Sequence, residues 1–169
     1  MDKEPGLGRD PVGAGNNTQA HNLWHIRESI SLAQAEEGLN IKHDISIPVS
    51  RIPELVRQAD AALAAAIPGV RFVNFGHLGD GNLHYNIQAP AEGDARAFLR
   101  AQEENVNTIV YDTVEQFDGS ISAEHGVGEL KRHKLVKHKS AVALGLMHAI
   151  EGALDPQGTM NPGRVLQQG

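Results

Sequence analysis

The chain has 169 residues, 40% of them hydrophobic and 21% charged, with a formal net charge of −6; it can build one domain around a real core and lacks the basic surface of a general nucleic-acid binder. It has no cysteine, which excludes disulfides and thiolate ligands and leaves His, Asp and Glu to hold any metal. No apolar run reaches the roughly 20 residues of a membrane span, and the opening MDKEPGLGRD lacks the apolar centre of an export signal, so a cytoplasmic location is expected.

Residues 1–20, rich in Gly, Pro, Asn and Asp, read as a flexible leader or a truncated element. A helix is expected from Asn22, with Leu23, Ile26, Ile30 and Ala33 as its apolar stripe and Gly38 as its stop. Residues 41–47 alternate as a strand does, with Ile41, His43, Ile45 and Ile47 on one side and Lys42, Asp44 and Ser46 on the other. Ser50 can cap a second helix, with Pro53 in its first turn and Ile52, Leu55, Val56, Ala59, Leu63 and Ile67 inward. Two strands, 70–78 and 83–89, are joined at Asp80-Gly81. A third helix over 94–117 buries Phe98, Leu99, Val106, Ile109, Val110, Val114 and Phe117. A short strand at 120–123 precedes a glycine-flanked turn, and helices then run to Leu154, where Asp155-Pro156 stops them. The fold expected is α+β: a ferredoxin-like split βαββαβ antiparallel sheet, helices on one face, with C-terminal helices added.

Asp80-Gly81 favours a two-residue hairpin turn. That turn sets His77 opposite His84, with Cβ atoms about 4.5–5.5 Å apart, close enough to share one metal ion. Alternation then divides the sheet. Phe72, Leu78, Leu83, Tyr85 and Ile87 point to the helices, while Lys42, Asp44, His77, His84, Asn86 and, past the last strand, Glu124 share the polar face. Two His and one carboxylate suit a divalent metal with an open position; a solvated cross-strand histidine pair fits the same pattern. In the usual strand order the last strand lies two spacings, about 9–10 Å, from the histidine strands, so Glu124 must reach in from beyond its strand end. His125 is a candidate general base, since an unperturbed imidazole titrates near neutrality; an incidental His in a helix-entry turn is the other reading. Arg27 and Ser31, one helical turn apart, can meet one anion, or Arg27 can pair with a neighbouring acid. The basic run from Lys131 to Lys139 reads as a solvated helix face.

Residues 74–84 (NFGHLGDGNLH) resemble the HxGDGNxH signature of FAD-linked oxidases of the vanillyl-alcohol-oxidase superfamily, in the branch of D-2-hydroxyglutarate and D-lactate dehydrogenases and glycolate-oxidase subunits. Residues 121–128 (ISAEHGVG), 154–166 (LDPQGTMNPGRVL), 24–30 (WHIRESI) and 41–48 (IKHDISIP) are similar to further signatures in the same order. The resemblance covers residues 21–169 and makes them the family's C-terminal substrate- and metal-binding domain. It implies zinc or a similar divalent ion on His77, His84 and Glu124. It further implies substrate contacts from Arg27, Ser31, Lys42 and Asn86, His125 as the base, and Asn161 near the flavin. The implied reaction oxidises a D-2-hydroxy acid to a 2-oxo acid, with hydride transfer to FAD. The resemblance also implies that FAD is held mainly by a domain or subunit outside this chain, so the chain alone is expected to be inactive; a homodimer is compatible. Two other functions fit the residues: a stand-alone divalent-metal or small-acid binding module without redox activity, and a metal-dependent hydrolase, for which only His125 stands near the ligands as a water-activating group.

Overall fold

The computed structural model describes residues 13–167 and divides into two compact units, residues 1–38 and 39–169. Among the described residues the first unit holds α1, Asn17–Glu36. It starts earlier than Asn22 because Asn16 provides the cap: its side-chain oxygen accepts the Gln19 N–H at 2.9 Å, satisfying one orphan donor of the first turn. The leader expected over residues 1–20 lies outside the described residues as far as residue 12.

The second unit runs β1 (Asn40–Ile41), β2 (Asp44–Ser46), a 3₁₀ turn, α2 (Ile52–Ala66), β3 (Arg71–His77), a second 3₁₀ turn, β4 (Asn82–Gln88), α3 (Ala95–Gln116), α4 (Arg132–His138) and α5 (Ala141–Leu154). All strand pairings are antiparallel. β1 and β2 are two short pieces of the expected first strand and flank one side of β4, with β3 on its other side. The expected strand at 120–123 is reduced to one bridge, Ser46 with Ser120. Counting that bridge, the order across the sheet is the 120 segment, β1–β2, β4, β3, which is the split βαββαβ arrangement.

One face of the sheet packs against α2 and α3. Ile41, Ile45, Leu83, Tyr85 and Ile87 meet Leu55, Ala59 and Leu63 of α2 and Val106, Val110 and Val114 of α3, the alternation and helical stripes that the pattern predicts. Asp94 caps α3, accepting from the N–H groups of Arg96 and Ala97. Two polar groups are built into this core. The Tyr85 hydroxyl donates to the Asp60 carboxylate at 2.5 Å. His43 donates from Nδ1 to the Tyr85 carbonyl at 2.8 Å, and its Nε2 stands 2.9 Å from the Asn107 carboxamide.

Three local expectations are corrected. Ser50 is no cap: a 3₁₀ turn over Val49–Arg51 leads into α2, whose N-cap residue is Arg51 without a side-chain bond. The β3–β4 connection is not a two-residue turn, because Leu78–Asp80 form a 3₁₀ turn closed by Gly81 in the left-handed region. Leu78 therefore leaves the strand and is 66% exposed instead of facing the helices. Gly81 is required twice over: φ is +78°, and a Cβ there would stand 2.1 Å from the Ile47 carbonyl oxygen.

Candidate metal and acid site

The longer connection shifts the strand register. His77 pairs with Asn82, and His84 pairs with Phe75, so the two histidines are diagonal neighbours instead of directly opposed. Because the shift is by two residues they still share a face, and their ring centroids are 6.3 Å apart. Asp44 pairs with His84 across β2 and β4. The register that also pairs Ile41 with Ile87 sets Lys42 opposite Asn86. The face expected to be polar thus carries Lys42, Asp44, His77, His84 and Asn86.

Glu124 and His125 come from the segment beyond Ser120, on the far side of β1–β2. Asp44, on the strand between, connects them to the histidines. Its side chain is 1% exposed, and its Oδ2 accepts from the backbone N–H groups of Ala123, Glu124 and His125 at 3.0, 2.9 and 2.8 Å. Its Oδ1 accepts from Asn82 Nδ2 at 3.0 Å. Burial pushes the Asp44 carboxyl up, but these backbone donors and the neighbouring His125 outweigh it and hold the group below the ordinary carboxylate range. Gly126 and Gly128, at φ +76° and +56°, turn the chain just after His125.

The turn brings the Glu124 carboxylate to 2.9 Å from His84 Nε2 and 3.9 Å from His77 Nε2. The His125 ring stacks on His84 with centroids 5.2 Å apart. Asp44, His84, Glu124 and His125 each present a ligand atom within 4.8 Å of the others. His77 stands at the rim, its side chain 53% exposed. Asp44 is the member that sequence reasoning left off the ligand-range set, although alternation had already put it on this face.

The electrostatics around His84 are specific. Burial first, with smaller contributions from His125 and His77, lowers its pKa from the ordinary value against the pull of Glu124 and Asp44. A neutral imidazole has one N–H. Here both nitrogens face carboxylates, Nδ1 at 3.8 Å from Asp44 Oδ1 and Nε2 at 2.9 Å from Glu124 Oε1. One lone pair therefore points at an anion, and a cation held between Nε2 and Glu124 relieves that repulsion. Two ligands about 2.0–2.2 Å from one zinc ion stand roughly 3–3.5 Å apart, close to the separation found. The donor set therefore fits a divalent ion.

Of the other expected residues, Arg27 and Ser31 lie on α1 in the first unit. Asn161 lies beyond α5, exposed and at φ +53°.

The sequence matches the family described as FAD linked oxidases, C-terminal domain, over residues 5–165. The chain belongs to this family. This FAD-linked oxidase domain is 40% identical over 162 residues to a D-2-hydroxyglutarate dehydrogenase of Stutzerimonas stutzeri, covering 96% of this chain and 34% of the relative. It is 39% identical over 165 residues to a probable mitochondrial D-2-hydroxyglutarate dehydrogenase of Oryza sativa subsp. japonica, covering 98% of this chain and 28% of that protein. A mitochondrial D-2-hydroxyglutarate dehydrogenase of Danio rerio is 39% identical over 158 residues, 93% of this chain and 28% of its own length. The domain thus spans about a third of the length of the curated relatives it matches. Among the described residues no helix is long and apolar enough to cross a membrane.

Proposed function

We propose that residues 21–169 form the metal- and substrate-binding part of a flavin-dependent dehydrogenase that oxidises a D-2-hydroxy acid to its 2-oxo acid. The observation that carries this reading is the His84 ring, held between two carboxylates with the His125 ring stacked on it. His77, His84 and Glu124 are assigned to a divalent ion, zinc being suited to nitrogen and oxygen donors. Asp44 is assigned a supporting role, because Oδ2 already accepts three N–H bonds and Oδ1 accepts one from Asn82.

Once bound, the ion supplies Lewis acidity, and FAD, held mainly by a further domain or subunit, supplies the redox chemistry. This chain's own residues orient the acid and move its proton. His125 is assigned to take the 2-hydroxyl proton; its Nδ1 and Nε2 each stand 3.9 Å from a carboxylate oxygen, of Asp44 and Glu124 respectively. Lys42 and Asn86 on the polar face, and Arg27 and Ser31 one turn apart on α1, are assigned to the carboxylates of the acid. Asn161 is assigned to the flavin edge. The names of the relatives favour D-2-hydroxyglutarate as the substrate.

Calorimetric titration of the chain tests the reading. Zinc should bind with one-to-one stoichiometry, and D-2-hydroxyglutarate should bind only to the zinc-loaded chain, more tightly than its L enantiomer. Zinc binding without any uptake of the acid would reduce the site to a metal-binding module, and absence of both would overturn the proposal.

A further inference from the structure

We infer that Asp44 is the positioning residue of this site, the group that carries Glu124 and His125 across the sheet to His84. The inference rests on the assignment of the site above and adds a residue to which that assignment gives no contact with metal or substrate.

The strand order creates a problem that something must solve. The 120 segment pairs with β2, not with β4, so a residue leaving it starts two strand spacings, about 9–10 Å, from the histidine strands. The segment itself supplies little anchorage: Ala123, Glu124 and His125 are exposed, and its main-chain ties to β2 are the Ser46–Ser120 bridge and one bond from the Ala123 N–H to the Asp44 carbonyl at 3.2 Å. Asp44 stands on the intervening strand, facing the same way as His84. Its Oδ2 collects three consecutive backbone N–H groups. Three successive amides can converge on one atom only if the chain curls around it, so the carboxylate sets the curvature of the loop as well as its place. The turn at Gly126 and Gly128 continues that curl and folds the rest of the loop back.

The other oxygen ties the anchor to the histidine strand. Asn82 Nδ2 donates to Oδ1, and His84 Nδ1 lies 3.8 Å from the same atom. Asp44 therefore lies behind the His84 ring, on the side away from Glu124, the place that carboxylates in a second layer take for metal-bound histidines. One side chain thus holds the backbone of two site residues and stands beside the ring of a third. A bond to a single amide would be an ordinary loop contact; this set commits every acceptor direction of Oδ2 to the segment that carries the chemistry.

Asp44→Asn retains the size of the side chain, removes its charge and puts an NH₂ group where one oxygen accepts. The test compares it with the parent full chain in two measurements. The first is amide exchange by NMR without metal: in the parent, the amides of Ala123, Glu124 and His125 should exchange far more slowly than the other exposed loop amides. In the variant the protection of Glu124 and His125 should be lost, while the amides of β3 and β4, and that of Ala123, which also donates to the Asp44 main-chain carbonyl at 3.2 Å, keep theirs. Unprotected amides at 123–125 in the parent would overturn the inference, and this arm needs neither a folded variant nor bound metal. The second uses Co²⁺ as a spectroscopic probe and Zn²⁺ for affinity. The variant should bind both about 10- to 100-fold more weakly, with an altered visible spectrum for the bound Co²⁺, because Glu124 no longer reaches the ion. A purely structural Asp44 would lower the melting temperature and leave the spectrum of the bound fraction as in the parent, and that result also overturns the inference. If the parent binds neither ion, the metal assignment fails by itself and the exchange pattern decides the role of Asp44.

Discussion

Acidification should destabilise the second unit through His43. This imidazole is 1% exposed and wedged between the Tyr85 carbonyl, the Asn107 carboxamide and the Tyr111 ring. Burial lowers its pKa from 6.5 to about 4, more than its two hydrogen bonds raise it, and Lys131 adds to the lowering. The folded state therefore binds fewer protons than the unfolded chain between these values, and stability is full above the unfolded pKa and declines as pH falls toward the folded one. A difference of about 2.5 units, at 1.36 kcal/mol per unit, is about 3 kcal/mol by pH 4, or roughly 10 °C in melting temperature. His84, lowered in the same direction, adds to the loss. Asp44, held below the ordinary carboxylate range, gives up its contribution only below about pH 4. Urea unfolding followed by far-UV circular dichroism from pH 7.5 to 4, with His43→Asn as the non-titrating control, measures the difference. The parent should lose about 3 kcal/mol more than the control across that range. Parallel pH profiles would refute the argument, since they would mean that His43 takes up its proton as easily folded as unfolded.

Zinc retained on purification should fall from stoichiometric to background in both His84→Ala and His77→Ala, with the far-UV spectrum unchanged; stoichiometric zinc in both variants would mean that the two histidines do not share an ion. Gly81→Ala should cost about 2 kcal/mol or more, from left-handed strain and the close approach of Ile47 O. Gly79→Ala, two residues away with open space around its Cβ, should stay within about 0.5 kcal/mol, and equal urea midpoints for the two would contradict the account of the connection.

The sequence made the fold readable wherever periodicity and burial act together. Leu55, Ala59 and Leu63 on α2 and Val106, Val110 and Val114 on α3 lie inward as their spacing requires, because nothing but core contact competes for those faces. The faces of the strands were readable for the same reason, down to His43 inward and Asp44 outward. Turn chemistry was less readable. Asp-Gly signals a hairpin, but here Ile47 closes over Gly81: its N–H donates to the Gly81 carbonyl at 3.1 Å. A contact 34 positions earlier in the chain therefore favours the longer connection, and no local pattern carries that information. α5 is a further case. Its sequence is apolar on nearly every side, the pattern of a buried helix, yet Val142, Leu146, Ile150 and Leu154 are all more than half exposed.

At the site the contrast is sharper, because the error and the correct result have one origin. The register expected from the turn differs by two residues from the one found, so an expected opposed histidine pair is a diagonal one in the structure, yet both rings lie on the polar face because a strand's side chains alternate with period two. A misreading by one would have buried His84 among the helices. What alternation cannot supply is the distance between strands that are not neighbours. Glu124 and His125 belong to the site only because a buried carboxylate on the strand between them and His84 bonds three successive amides, a contact across 79–81 positions that leaves no periodic trace. The sequence shows which residue types the chemistry needs and which face they occupy; whether they meet depends on Asp44, whose side chain reads in the sequence as one more polar residue of an alternating strand.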